Sequence, residues 1–289
     1  MMSIDVVITQ KGLFKKTLPL QVILGSDLSY GSYDFGFRLN VGQRDEFELI
    51  AYLPNQIGRG FSVIWNPKEK HRIVLRALTP TCEEELRAFY GCIKRISEYW
   101  KCDLEVDGVP TTFSQFQAGL EDMIAFNEKA LINMCQAILA GEHPSLTLFS
   151  AMWPMELGKQ EAEQFLSNPK DFHQWLHDRQ SLDVYYAAPM FYDTEDGIVG
   201  IYVLTEDCDS VFPNTPSVPF GIMDPHTNKA LTCEQYRISL VSTTQNEVIG
   251  QLDYEEWLER MRSHPLEYYD GGHFRFAGLS LSKMQALLE

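Results

Sequence analysis

The chain lacks every short signature that names a reaction. It has no P-loop and no Gly-x-Ser-x-Gly elbow; Gly278-Leu279-Ser280-Leu281-Ser282 misses the elbow at its last position. None of the six cysteines (Cys82, Cys92, Cys102, Cys135, Cys208, Cys233) stands in a Cys-x-x-Cys pair, which argues against a structural zinc site of that kind. Residues 1–16 do not follow the signal-peptide pattern, because Asp5 interrupts the apolar stretch and Lys11, Lys15 and Lys16 follow it. No apolar run reaches the ~18 residues of a membrane helix. A cytoplasmic location with reduced thiols is therefore expected. Cations are scarce: 24 Lys and Arg stand against 40 Asp and Glu, a net charge of −16. Such a surface repels phosphate backbones and anionic lipid, so neither nucleic acid nor membrane is an expected partner.

What is present is apolar periodicity. With 289 residues, 45% hydrophobic and 12% aromatic, the chain buries roughly 75% of its unfolded surface and needs no metal or disulfide to fold. Segments 3–9, 19–24, 35–41, 47–53, 61–65 and 71–78 read as strands, with 25–36 as loop and 66–70 as a hairpin link. In 71–78, Ile73, Leu75 and Ala77 alternate with Arg72, Val74 and Arg76, one buried face against one wet face. Thr81 and Glu84 fit a capping box for a helix over 81–100 carrying Leu86, Phe89, Ile93, Ile96 and Trp100 on one side. A hairpin around Asp107-Gly108 and one long helix over 114–139 follow. Further on, 145–153 reads as a strand and 159–167 and 170–179 as two helices. Hairpins around 193–197 and 242–247, a helix capped by Asp253, a strand at 273–279 and a short helix after Ser280 complete the pattern. Strands cluster at both ends with helices between. The expected fold class is α+β with antiparallel or mixed sheets and packed helices, in two lobes, 1–142 and 143–289, divided near Pro144.

Few residues stand out for chemistry. His173 and His177 lie four apart on a helix, the spacing that brings two imidazoles to one face, yet Gln174 departs from the metalloprotease pattern and no third ligand is marked. The expectation is no metal and no cofactor, with His173 and His177 as the nearest thing to a metal pair. His273 follows Asp270-Gly271-Gly272 in a turn that could position a base. Arg59 sits between Gly58 and Gly60, where a guanidinium could meet a carboxylate or phosphate. The acids Asp193, Glu195, Asp196, Glu206, Asp207 and Asp209 read as a charged hairpin tip rather than a calcium loop. Segment 184–192 is apolar on both faces, with Tyr186, Met190 and Tyr192 on one and Tyr185, Pro189 and Phe191 on the other. Proline cannot donate to a ladder, so this strand is expected at an edge or bulge and needs a cover.

The stretches NQIGRGF (55–61), Pro80-Thr81 leading to Phe89-Tyr90, and YYAAPMFY (185–192) resemble domain-of-unknown-function family 4299, uncharacterised proteins of low-GC Gram-positive bacteria (Firmicutes). The resemblance spans most of the chain. It implies a bacterial cytoplasmic setting and carries no activity or catalytic residue with it.

On these grounds the expected function is a non-enzymatic binding role, with Tyr185, Tyr186, Met190, Phe191, Tyr192 and Arg59 as binding residues and a protein as partner. The alternative is a hydrolase or metal-dependent enzyme using His173 and His177, or His273.

Overall fold

Ile4, Val6 and Ile8 point inward from β1 (Ser3–Thr9) while their neighbours are partly or fully wet, and that alternation sets the plane of the first sheet. The computed structural model describes residues 3–34, 36–65, 71–195, 197–224 and 226–289. It divides into two compact units, Met1–Ser181 and Leu182–Glu289. The expected boundary at 142/143 falls within the first. The 66–70 link and Asp196 lie outside the described residues. The fold class is α+β, and no helix among the described residues is long and apolar enough to cross a membrane.

After β1 the first unit runs α1 (Leu20–Leu24), β2 (Ser29–Tyr33), β3 (Leu39–Val41), β4 (Glu48–Tyr52), β5 (Phe61–Trp65), β6 (Arg72–Leu78) and α2 (Glu83–Trp100). There follow β7 (Leu104–Val106), β8 (Val109–Thr111), α3 (Phe113–Ala118), α4 (Leu120–Leu139), β9 (Leu146–Leu148), β10 (Met155–Leu157), α5 (Lys159–Ser167) and α6 (Asp171–Gln180). An eight-stranded sheet has the order β3-β2-β4-β5-β6-β1-β7-β8, and every pairing in it is antiparallel. Helix α2 lays Leu86, Phe89, Ile93, Ile96 and Trp100 on Val6, Ile8, Val63, Ile73 and Leu75 in one core. The expected hairpin at Asp107-Gly108 forms, with both residues at positive φ (47° and 83°), as a two-residue I′ turn requires.

Three expectations are corrected. Segment 19–24 is helical, not extended: α1 packs on α2, and Arg95 donates from Nε to the Val22 carbonyl (3.1 Å) and from Nη2 to the Ile23 carbonyl (2.7 Å). Those carbonyls at the helix end would otherwise lack partners. The 25–36 loop contains β2, which pairs with β3 and β4. The helix over 114–139 is two helices that meet at Gly119, and Thr112 and Gln115 supply a capping box for the first.

The second unit comprises β11 (Tyr185–Tyr186), β12 (Met190–Thr194), β13 (Gly197–Thr205), β14 (Ser210–Pro213), β15 (Gln235–Ser242), β16 (Glu247–Asp253), α7 (Tyr254–Met261), β17 (Glu267–Asp270), β18 (His273–Phe276) and α8 (Leu281–Ala286). Its sheets have the orders β12-β13-β15-β16 and β11-β14-β18-β17. The β13/β15 and β11/β14 pairs are parallel, so both sheets are mixed. Tyr202, Phe212, Tyr254, Trp257 and Phe276 form the core between them, and Asp253 caps α7 by accepting from the Glu255 amide at 2.9 Å.

Phe89 is fully buried and meets Phe61 edge-on at 5.3 Å. Phe89→Ala is expected to destabilise the chain by about 3–5 kcal/mol through the cavity it leaves, read as a lowered urea midpoint with unchanged far-UV circular dichroism of the folded state.

Candidate functional site

The loop before β5 reaches the head of α2 because a carboxylate waits there. Glu85 is buried on the inner side of α2, next to Leu86 and Phe89. Its Oε2 accepts from the Arg59 amide (2.8 Å), the Thr81 hydroxyl (3.0 Å) and the Cys82 thiol (3.2 Å), and its Oε1 accepts from the Gly60 amide (2.5 Å). The carboxylate is thus fully solvated by protein donors. Gly58 must be glycine for this approach, since a Cβ there would collide with the Glu85 carboxylate, and Gly60 sits at φ +66°. The Arg59 guanidinium is only 2% exposed and donates from Nε to the Phe149 carbonyl (2.9 Å) and from Nη1 to the Pro80 carbonyl (2.8 Å). Arg59 therefore fastens three segments together. Two of its N–H groups are directed at carbonyls of this chain, and its burial leaves an external anion no open approach to it.

The capping box expected from Thr81 and Glu84 is replaced by a different arrangement. Cys82 is the N-cap residue and makes no side-chain cap. The Thr81 amide is taken by Asn127 Oδ1 of α4 (2.9 Å), its hydroxyl goes to Glu85, and Glu84 turns outward.

Helix α6 holds the other side of the loop. His173, His177 and Gln180 fall on one face at i, i+4 and i+7, and they bond three successive residues of backbone. His173 Nε2 lies 3.0 Å from the Gln56 carbonyl, His177 Nδ1 accepts from the Ile57 amide (3.1 Å), and Gln180 Nε2 donates to the Gly58 carbonyl (2.8 Å). The spacing that suggested a two-histidine metal pair instead reads a strip of loop. A carbonyl can only accept, so the His173 proton is on Nε2. Nδ1 faces Glu84 Oε2 at 2.9 Å, and these two acceptors need a proton or a cation between them.

His173 then acquires partners that sequence did not mark. His173 Nδ1, Glu84 carboxylate and Cys82 Sγ lie within 4.8 Å of one another, the one such trio of potential metal donors among the described residues. They line a cavity of about 220 Å³ whose walls include Ile124, Asn127, Leu131 and Phe172, with Glu83, Glu128 and Lys170 also facing it. Burial, and next the charge of Glu85, hold the Cys82 thiol well above its usual range. In the absence of a bound cation it is a proton donor and not a nucleophile. Burial also draws the Arg59 guanidinium down to about 10, against the pull of Glu85.

Residues 3–287 match the model of a domain of unknown function, DUF4299. The chain belongs to this family. No curated protein and no solved structure matches it. Two of the three stretches that carried the resemblance, 55–61 and 80–90, are the ones joined at Glu85 in this DUF4299 chain.

The third stretch, 185–192, lies in the second unit. Pro189 divides it into β11 and β12, which enter different sheets. Tyr186 is buried, and its hydroxyl lies 2.9 Å from His273 Nε2, while His273 Nδ1 lies 2.7 Å from Asp270 Oδ1. Two residues from opposite expectations, the binding tyrosine and the turn histidine, thus share one hydrogen-bonded relay. Tyr185 and Phe191 pack against the core. Met190 and Tyr192 remain about half exposed on the edge strand β12, as expected from the proline. Of the acidic residues, Glu206 binds Ser242 and Thr244, and Asp209 binds the Gly278 amide.

Asn127 and Glu85 carried a legible signal. Each is a polar side chain on an apolar helical face, Asn127 between Ile124 and Leu131 and Glu85 four residues before Phe89. Cys82 and Glu84 carried none.

Glu85→Gln, which turns an NH2 group toward donors that need an acceptor and removes the charge that buried Arg59 feels, is expected to lower stability by about 1–3 kcal/mol. Gly58→Ala is expected to destabilise as well, by displacing the same carboxylate. Denaturant unfolding of both variants checks this; a Glu85→Gln loss under about 1 kcal/mol would mean the pair is dispensable.

Proposed function

We propose that the protein binds a divalent transition-metal ion at the head of α2, through Cys82 Sγ, the Glu84 carboxylate and His173 Nδ1. The observation that carries this reading is the convergence of these three donor types at one wall of a cavity. Sulfur, imidazole and carboxylate together suit an ion of the zinc class, which takes such ligands at about 2.0–2.3 Å. Tetrahedral ligands at those lengths stand roughly 3.5 Å apart, so donors already within 4.8 Å of one another need only a small adjustment. The His173 Nε2 bond to the Gln56 carbonyl is the kind of outer contact that orients a ligating imidazole. Glu84 is nearly half exposed, which gives an ion a way in.

Three protein donors leave a coordination position open toward the cavity. An ion held so acts as a Lewis acid on a bound water or carbonyl. Of the two functions expected from sequence, this favours the metal-dependent one, with His173 retained and His177 assigned to holding the loop. Glu85 remains held by Arg59, Gly60 and Thr81 when the Cys82 proton leaves.

Cobalt(II) titration of chelator-treated protein tests this. One equivalent should bind with thiolate-to-cobalt absorption, and Cys82→Ser should abolish that absorption while keeping a donor for Glu85. His173→Ala should weaken binding at least tenfold. Sub-stoichiometric binding, or an affinity indifferent to His173→Ala, sinks the reading.

A second reading is favoured by the half-exposed Met190 and Tyr192 on β12, which among the described residues pairs with β13 alone. An edge strand that presents apolar side chains accepts another strand, and a second copy of this chain supplies one in antiparallel register. Amide exchange at 190–194 should then slow as protein concentration rises. Rates that stay constant from micromolar to near-millimolar protein exclude self-pairing.

A further inference from the structure

We propose that a second cavity, at the C-terminal end of α2, binds a small amphipathic carboxylate. This cavity has a volume of about 500 Å³, within the roughly 300–1,000 Å³ span of small-molecule sites. Its walls are apolar and aromatic: Leu18, Ile23, Trp65, Ile73 and Trp100. The Trp100 indole N–H is already satisfied by the Lys16 carbonyl at 3.1 Å, so the tryptophan offers its ring and no unmet donor.

The polar side of the cavity carries Arg44 and Arg72. The Arg44 guanidinium lies over the Trp65 ring at 4.1 Å. A guanidinium centred over an indole at this distance keeps N–H groups at its rim for a planar anion, the kind of partner an arginine meets bidentately. Among the described residues Arg44 forms no ion pair, in a chain with 40 acidic and 24 basic residues. A cation without a counter-charge in so acidic a chain, stacked on the indole that lines an apolar cavity, recognises a carboxylate attached to an apolar body. Asp45 and Glu46 also border the cavity. Asp45 Oδ1 accepts from the Phe47 amide at 2.8 Å and so is turned to its own backbone.

Calorimetric titration of the full chain with four probes tests the proposal. Decanoate and indole-3-propionate share the carboxylate and differ in the body, which separates an aliphatic from an aromatic preference. Decanol and decylammonium keep the tail and change the head. Saturable binding of at least one carboxylate at one equivalent is expected, with decanol and decylammonium at least tenfold weaker. Arg44→Gln should reduce carboxylate affinity at least fivefold while the melting temperature holds, since this side chain is exposed. The proposal is overturned if neither carboxylate saturates, if decylammonium binds as well as decanoate, or if Arg44→Gln binds like the parent. His173→Ala leaves this cavity intact, so its carboxylate binding should match the parent whatever that variant does to metal.

Discussion

A buried carboxylate, with a buried guanidinium close enough to feel its charge, governs the first unit. Glu85 and Arg59 are each almost fully inaccessible, and an isolated charge so placed is strongly unfavourable. The arrangement is tolerable because two loop amides, a hydroxyl and a thiol donate to Glu85, and two backbone carbonyls accept from Arg59. Those answers come from three stretches of chain: 59–60, 80–82 and Phe149. The pair therefore works as a specification device. The loop before β5, the segment after β6 and the residues after β9 can be assembled in one way only if both charges are to be satisfied. Where that loop goes, α6 follows, since His173, His177 and Gln180 bond its backbone residue by residue.

The second unit uses the same device on a smaller scale. Asp270 is inaccessible, accepts from the Gly272 amide and His273, and through His273 reaches Tyr186 on β11. Strand β11 is two residues long and sits at the edge of its sheet beside β14, a short ladder to fix itself. The relay gives it a side-chain anchor across the sheet to β18. This explains why the aromatic stretch splits its residues as it does. Tyr185, Tyr186 and Phe191 are drawn inward, and past Pro189 the strand joins another sheet with Met190 and Tyr192 left outside.

Sequence reading succeeded where a single periodicity decides an element. The alternation of Ile73, Leu75 and Ala77 and the helical stripe from Leu86 to Trp100 are burial patterns written directly into residue order, and the Asp107-Gly108 turn is a local backbone requirement. It failed where a distant partner decides. Segment 19–24 has strand composition, and it is helical because Arg95, more than seventy residues away, satisfies its carbonyls. Gly119 breaks a stripe whose spacing is otherwise continuous, and Thr81 forgoes its cap because Asn127 and Glu85 claim it first. The candidate site failed for the same reason. His173 and His177 were visible as a spacing, but Glu84 is one glutamate of three in a row and Cys82 one cysteine of six. Only the packing of α6 on the loop decides which of them His173 meets.

Helix α2 also sorts the two cavities by charge. It spans 18 residues, about 27 Å at 1.5 Å per residue. Its amino end carries partial positive charge and its carboxyl end partial negative charge, felt within the terminal turns. Carboxylates are favoured at the first end, and Glu83, Glu84 and Glu85 stand there. Cations are favoured at the other, and Arg44 and Arg72 line the cavity that holds Trp100, the last residue of the helix. Ligands must complement the side chains and not the backbone field that assembled them. A cation is accordingly proposed at the head, where Glu83, Glu84 and Glu128 outnumber Lys170, and a carboxylate at the tail, where Arg44 lies over Trp65 and Asp45 is turned to its own backbone. One helix, oriented by its apolar face against a single sheet, thereby carries both proposed sites, one at each end.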